Sequence, residues 1–99
     1  MKLYYSRNSR AVRVAWLLEE MGLDYEIHKF ELGDRAMRDP EYLAVHPMGR
    51  VPALEDRDIP LFESGAILQY LARKTGRFYG STERQQVAVE EWLMWQMGG

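Results

Sequence analysis

Three short stretches carry side chains able to do chemistry. The first, Ser6-Arg7-Asn8-Ser9, sets two hydroxyls and an amide directly ahead of a helix-patterned run. Donors beside a helix N-terminus stabilise an anion, a thiolate included, by hydrogen bonds and the helix dipole. The same residue types are what an N-cap requires, and one can cap while another works. The second is His46-Pro47-Met48-Gly49-Arg50-Val51-Pro52. Its prolines read simply as loop punctuation, but Pro52 also removes a donor at the head of a strand and pushes Val51 into an extended conformation. The backbone N–H and C=O of Val51 can then pair with a peptide laid alongside. The third is Glu63-Ser64, which again reads as a helix cap. It also suits a ligand carrying both signs, with Glu63 for an ammonium and the Ser64 hydroxyl and helix N–H groups for a carboxylate.

Other chemistries find no residues to carry them. The chain has no cysteine, which removes disulfides, thiolate metal sites and a cysteine nucleophile, so any sulfur chemistry must bring its sulfur with the substrate. His28 and His46 have no partner at metal-ligand spacing, and no metal site is expected. There is no glycine-rich phosphate loop, no pair of catalytic carboxylates and no nucleophile elbow.

Those stretches need a scaffold, and 99 residues, 46% of them apolar, make one ordinary domain with a modest core. A net charge of −2 gives no basic field to attract nucleic acid or an anionic membrane, so the partner is expected to be a small molecule or another protein. No apolar stretch nears the roughly 20 residues that span a bilayer, and MKLYY reads as a strand, not a targeting segment. A cytoplasmic protein is expected.

Residues 2–5 read as a first strand. Over residues 10–21, Val12, Ala15, Trp16, Leu18 and Met21 recur at helical spacing, and Gly22 suits a left-handed C-terminal residue. Residues 25–32 read as a second strand, parallel to the first through a right-handed crossover. An irregular helix is expected over residues 35–44, in a charged stretch punctuated by Pro40 and Pro47. Residues 51–55 and 59–62 read as a hairpin around Asp56-Arg57-Asp58. Ser64 then starts a helix whose buried stripe is Ala66, Ile67, Tyr70 and Leu71, ended by Thr75-Gly76. The order βαβ, connector, ββ, α resembles a thioredoxin-like α/β fold with a mixed four-stranded sheet. Thr82-x-x-Gln85 is a capping box opening a last helix. That helix ends in Trp92-Leu93-Met94-Trp95-Gln96-Met97, apolar on nearly every face, and needs cover that so small a domain does not supply. Residues 1–76 are therefore expected to form the thioredoxin-like domain. Residues 77–99 read as a linker and the first helix of an all-helical domain, or as a helix covered by a partner subunit.

Taken in order and spacing, Ser6-x-Asn8-x-x-x-Val12, His46-Pro47-x-Gly49-Arg50-Val51-Pro52-Ala53-Leu54 and Leu61-Phe62-Glu63-Ser64-x-Ala66-Ile67-Leu68-x-Tyr70-Leu71 resemble the N-terminal domain of cytosolic glutathione transferases. The likeness covers nearly the whole chain. The run from Glu91 to Gly99 is similar to the opening helix of that family's C-terminal domain, especially in bacterial members related to the nu class and in yeast prion-type relatives.

What the resemblance implies is specific. Ser6 falls on the activating serine of the serine-type classes, six residues before the helix valine. Asn8 matches the asparagine of nu-like members, and Ser9 is a further candidate donor. Pro52 falls on the family's cis-proline and Val51 on the residue that pairs with the cysteinyl backbone of glutathione. Arg50 matches a basic contact to the tripeptide, and Glu63-Ser64 the pair that grips its γ-glutamyl end. His46 departs from the commoner asparagine and is given no role. The implied cosubstrate is glutathione, the implied assembly a homodimer, and the implied activity attack of the glutathione thiolate on an electrophile, a peroxide or a disulfide. A second reading from another class is a binding or assembly module without turnover. A glutaredoxin-type catalyst with its own dithiol is excluded by the missing cysteine.

Overall fold

A computed structural model describes residues 1–31 and 33–98, with the side chains of the last helix described through Gln96. Four strands, β1 (Lys2–Ser6), β2 (Glu26–Phe30), β3 (Ala53–Asp56) and β4 (Ile59–Phe62), form one mixed sheet in the order β2-β1-β3-β4. β1 runs parallel to β2, with Ser6 opposite Phe30, and antiparallel to β3, which makes an antiparallel hairpin with β4. This is the thioredoxin-like arrangement expected. β2 is shorter than its apolar pattern suggests, and Leu32, at the end of the expected strand, lies outside the described residues.

Leu3 and Tyr5 turn to one face of β1 and Tyr4 to the other, as a period of two requires, and each face has its own core. On the first, Leu3 and Leu54 pack with Val14, Leu18 and Met21 of α1 (Ala11–Met21) and with Ile67 and Leu71 of α3 (Ser64–Thr75). On the second, Tyr4, Phe30 and Ala53 pack with Tyr42 of α2 (Pro40–Leu43). The irregular helix expected over residues 35–44 is divided into a 3-10 turn, Arg35–Arg38, and the single α turn of α2. Pro40 stands at the first position of that turn, where a missing N–H costs nothing.

Two expected stripes are corrected. In α1 the buried residues are Ala11, Val14, Leu18 and Met21, while Val12 is 44% and Trp16 69% exposed. Both sets obey a spacing of three and four, so periodicity does not choose between them; contact with the sheet does. In α3 the buried residues are Ser64, Gly65, Ile67, Leu71 and Ala72, with Ala66 exposed. Tyr70 is half-buried and gives its hydroxyl to Asp56 at 2.5 Å. Both helices end on left-handed glycines, Gly22 and Gly76, as read from the sequence.

α4 (Glu83–Gly98) opens with the anticipated capping box. Gln85 N–H donates to the Thr82 hydroxyl at 3.1 Å, and the Gln85 side chain accepts from the N–H groups of Thr82 and Ser81 at 3.3 and 2.8 Å. Tyr79, buried ahead of it, donates its hydroxyl to Glu90. Further along, Trp92 and Trp95 are 68% and 64% exposed, and Met97 lies beyond the described side chains.

Candidate functional site

One cleft of about 340 Å³ is lined by Arg10, His46, Met48, Arg50, Val51, Pro52, Glu63 and Ser64. Four elements converge to make it. The loop between α2 and β3 supplies His46 to Pro52, and its geometry is closed from several sides. Gly49 N–H donates to the His46 carbonyl at 2.9 Å, the Tyr42 hydroxyl donates to the Arg50 carbonyl at 2.5 Å, and the Val51–Pro52 peptide is cis. Gly49 has φ +62°, and a Cβ there would come within 2.5 Å of the Met37 carbonyl oxygen, so only glycine fits. Pro52 and Ala53 are buried, anchoring the loop to the sheet as β3 begins, while Val51 stays half-buried at the cleft wall.

Opposite, β4 hands over to α3 through Glu63, which adopts φ 73°, ψ 117°. A non-glycine residue held there is strained, and such strain persists only where the surroundings impose it. Its effect is to leave the Glu63 side chain exposed at the cleft while Ser64, at the first turn of the 12-residue α3, is buried. Arg10, at the head of α1, completes the wall. The cleft is thus lined by two arginines, one glutamate and the head of a helix, a composition complementary to a ligand with more than one carboxylate and a single ammonium.

Five of the eight residues singled out by sequence meet here: Arg50, Val51, Pro52, Glu63 and Ser64. The other three occupy the turn from β1 into α1 and do not line the cleft. Ser6 is buried at the end of β1, and its hydroxyl donates to the Phe30 carbonyl at 3.0 Å. Asn8 is exposed in a left-handed conformation, φ 59°, which asparagine tolerates better than most residues. Ser9 does the capping: its hydroxyl donates to the Ser6 carbonyl at 2.6 Å and accepts from the Ala11 N–H at 3.2 Å.

Sequence reasoning missed Arg10 and Met48 and left His46 without a role. His46 is buried, its ring 4.9 Å from that of Phe62 and 6.5 Å from that of Tyr42, and its Nδ1 accepts the Met48 N–H at 3.2 Å. Burial pushes its pKa down, opposed by the nearby Glu63 carboxylate. Among the described residues, no group of three or more His, Asp or Glu side chains is placed to hold a metal ion, and no helix is long and apolar enough to cross a membrane.

Residues 1–73 match the family described as Glutathione S-transferase, N-terminal domain. An Escherichia coli protein named Disulfide-bond oxidoreductase YfcG is 39% identical over 104 residues, covering 98% of this chain and 48% of its own length. A crystal structure of a glutathione transferase from Pseudomonas putida, with one glutathione disulfide bound per subunit, superposes with a TM-score of 0.92 at 39% identity over 99% of this chain and 45% of that one. A glutathione transferase family member from Pseudomonas fluorescens, with two glutathione bound, gives 0.91 at 39% identity over 99% and 46%. The chain spans less than half the length of each.

Proposed function

Since the chain belongs to the glutathione S-transferase family through its N-terminal domain, we propose that the cleft between the 46–52 loop and the head of α3 binds glutathione and presents its thiol for ionisation. The cleft itself carries this reading. Glutathione has two carboxylates, one ammonium and a peptide backbone, and the cleft offers Arg10 and Arg50, Glu63, and the half-buried backbone of Val51. The glutathione-bound relatives support the same assignment.

The activating donor is Ser6, with Asn8 and Ser9 as its alternates at the same turn, which lies outside the cleft lining and adjoins it through Arg10. A thiol of pKa about 8.5 is only a few per cent ionised at neutral pH, and lowering that by about 2 units takes roughly 2.7 kcal/mol of preferential thiolate stabilisation. A hydroxyl donating to a charged acceptor supplies about 1.5–3 kcal/mol, less the roughly 0.5–1.5 kcal/mol of the neutral bond it gives up, and the α1 dipole adds about 0.3–1 kcal/mol toward the remainder. Ser6 would exchange the Phe30 carbonyl for the thiolate. It would act as a neutral donor and not as a nucleophile, so it needs no histidine base. The thiolate then attacks an electrophilic carbon and expels its leaving group, attacks a peroxide oxygen with cleavage of the O–O bond to give a glutathione sulfenic acid and an alcohol or water, or attacks a disulfide to form a mixed disulfide and release a thiolate. The last is favoured by the likeness to the disulfide-bond oxidoreductase. A binding or assembly role without turnover is the second reading, and the engagement of Ser6 with Phe30 is its one support.

Calorimetric titration of the intact protein with glutathione tests the binding. Glu63→Gln removes the carboxylate that faces the ammonium and should weaken affinity by about 1.5–3 kcal/mol, roughly ten- to a hundredfold. Unchanged affinity in that variant would place the γ-glutamyl end elsewhere.

A further inference from the structure

The turn formed by His46, Pro47, Met48 and Gly49 is closed twice by the same residue. The His46 carbonyl accepts from Gly49 N–H at 2.9 Å, and the His46 side chain accepts from Met48 N–H at 3.2 Å. A side chain bonding the N–H two residues on is the connectivity of an Asx turn, in which an asparagine or aspartate oxygen is the acceptor. Here an imidazole nitrogen takes the place of that oxygen. An acceptor Nδ1 carries no proton, so the ring is neutral with its proton on Nε2.

We propose that neutral His46 is a positioning residue for the cleft, its Nδ1 holding the turn that sets the Val51 backbone edge for the bound tripeptide, and that protonation of the ring releases that edge. The use of the edge rests on the glutathione reading above; the turn itself does not. Protonation converts Nδ1 from acceptor to donor, so two N–H groups then face each other and the Met48 bond is lost. Three residues further on, Val51 lies in the same cleft wall. The charged groups facing the ring are Glu63, from the junction of β4 and α3, and Arg50, from the loop; Tyr42 of α2 and Phe62 of β4 contribute rings. Burial, which lowers the His46 pKa, keeps the ring neutral at physiological pH, whereas an asparagine at this position would be insensitive to acid.

The test compares the intact protein with His46→Asn, which restores an Asx-turn acceptor that cannot titrate, and with His46→Ala. Two readouts are followed from about pH 7 to about pH 5, the range in which a histidine charges: protection of the Met48 amide relative to its intrinsic exchange rate, with the His46 ring nitrogen resonances, and the dissociation constant for S-methylglutathione, whose sulfur has no proton to lose. In the wild type, acid should lower the protection of the Met48 amide and weaken S-methylglutathione by about three- to tenfold, within the roughly hundredfold that one linked proton allows over two pH units. His46→Asn should match the wild type at pH 7 and stay flat on acidification, and His46→Ala should be weak throughout. A proton on Nδ1 at pH 7, Met48 amide protection indifferent to pH, or an equal acid loss in His46→Asn would each overturn the proposal. A Met48 response in a protein that binds no glutathione would support the latch and overturn the glutathione reading instead.

Discussion

Ser6 presents the sharpest question at the scale of single residues, because its hydroxyl already has a carbonyl to bond. A hydroxyl can turn about one torsion, and a thiolate is the stronger acceptor. Ser6→Ala is therefore expected to leave glutathione affinity nearly unchanged and to raise the pH at which the bound thiol ionises by about one to two units, the equivalent of one charge-assisted hydrogen bond. Thiolate absorbance of the bound tripeptide reads this directly, and an unmoved titration would transfer the role to Asn8 or Ser9. The residues most legible in the sequence were those whose types limit the backbone or carry charge at a helix head: Pro52, Val51, Glu63 and Ser64. Arg10 was not legible, since an arginine after a capping serine looks like any solvated side chain until α3 brings Glu63 opposite. His46 was visible only as a departure from asparagine. The clue lay in its place two residues before a backbone N–H, in a turn punctuated by Pro47 and Gly49.

Among the elements, the hairpin and α3 are joined by Asp56, which is buried and accepts from Tyr70 and Lys74. Those two donors hold its carboxyl below the usual carboxylate range. Because the folded pKa lies below the ordinary value of 3.8, this contribution is fully present above that pH and is lost as pH falls through the folded value. Asp56→Ala should cost about 1–3 kcal/mol in chemical denaturation at neutral pH, with the gap from wild type narrowing under strong acid. A gap that holds constant with pH would mean that packing, and not the charge, is what the residue supplies. Punctuation made several elements readable from sequence alone: the glycine ends of α1 and α3, the Thr82–Gln85 box and the hairpin turn all lie where side-chain chemistry demands them. Stripes were harder. α1 carries apolar residues on more than one face, and only the docked sheet decides that Val14 is inside and Trp16 outside.

On the scale of the whole molecule, the apolar surface that residues 1–99 leave uncovered stands out. Trp16, Phe78, Trp92 and Trp95 are each more than half exposed. Trp16, Leu17, Leu68, Phe78 and Gln96 line a groove of about 580 Å³. The edge-on contact of Trp92 with Trp95, 5.6 Å between centroids, shields neither. Burying each such side chain is worth about 1.5–3 kcal/mol, against a typical domain stability of roughly 5–15 kcal/mol. We propose that in the intact protein a helical domain or a second subunit covers this surface. Residues 1–99 alone should then oligomerise or fray at α4, and sedimentation finding a stable monomer with α4 fully protected from hydrogen exchange would contradict that. The function we propose for the whole molecule depends on the cleft delivering an ionised thiol, and the direct measurement is the pH titration of thiolate absorbance for glutathione bound to the intact protein. The midpoint should fall about 2 units below the value near 8.5 of a free thiol. Binding with a midpoint at the free value would show that the cleft holds glutathione without activating it, and would contradict the account.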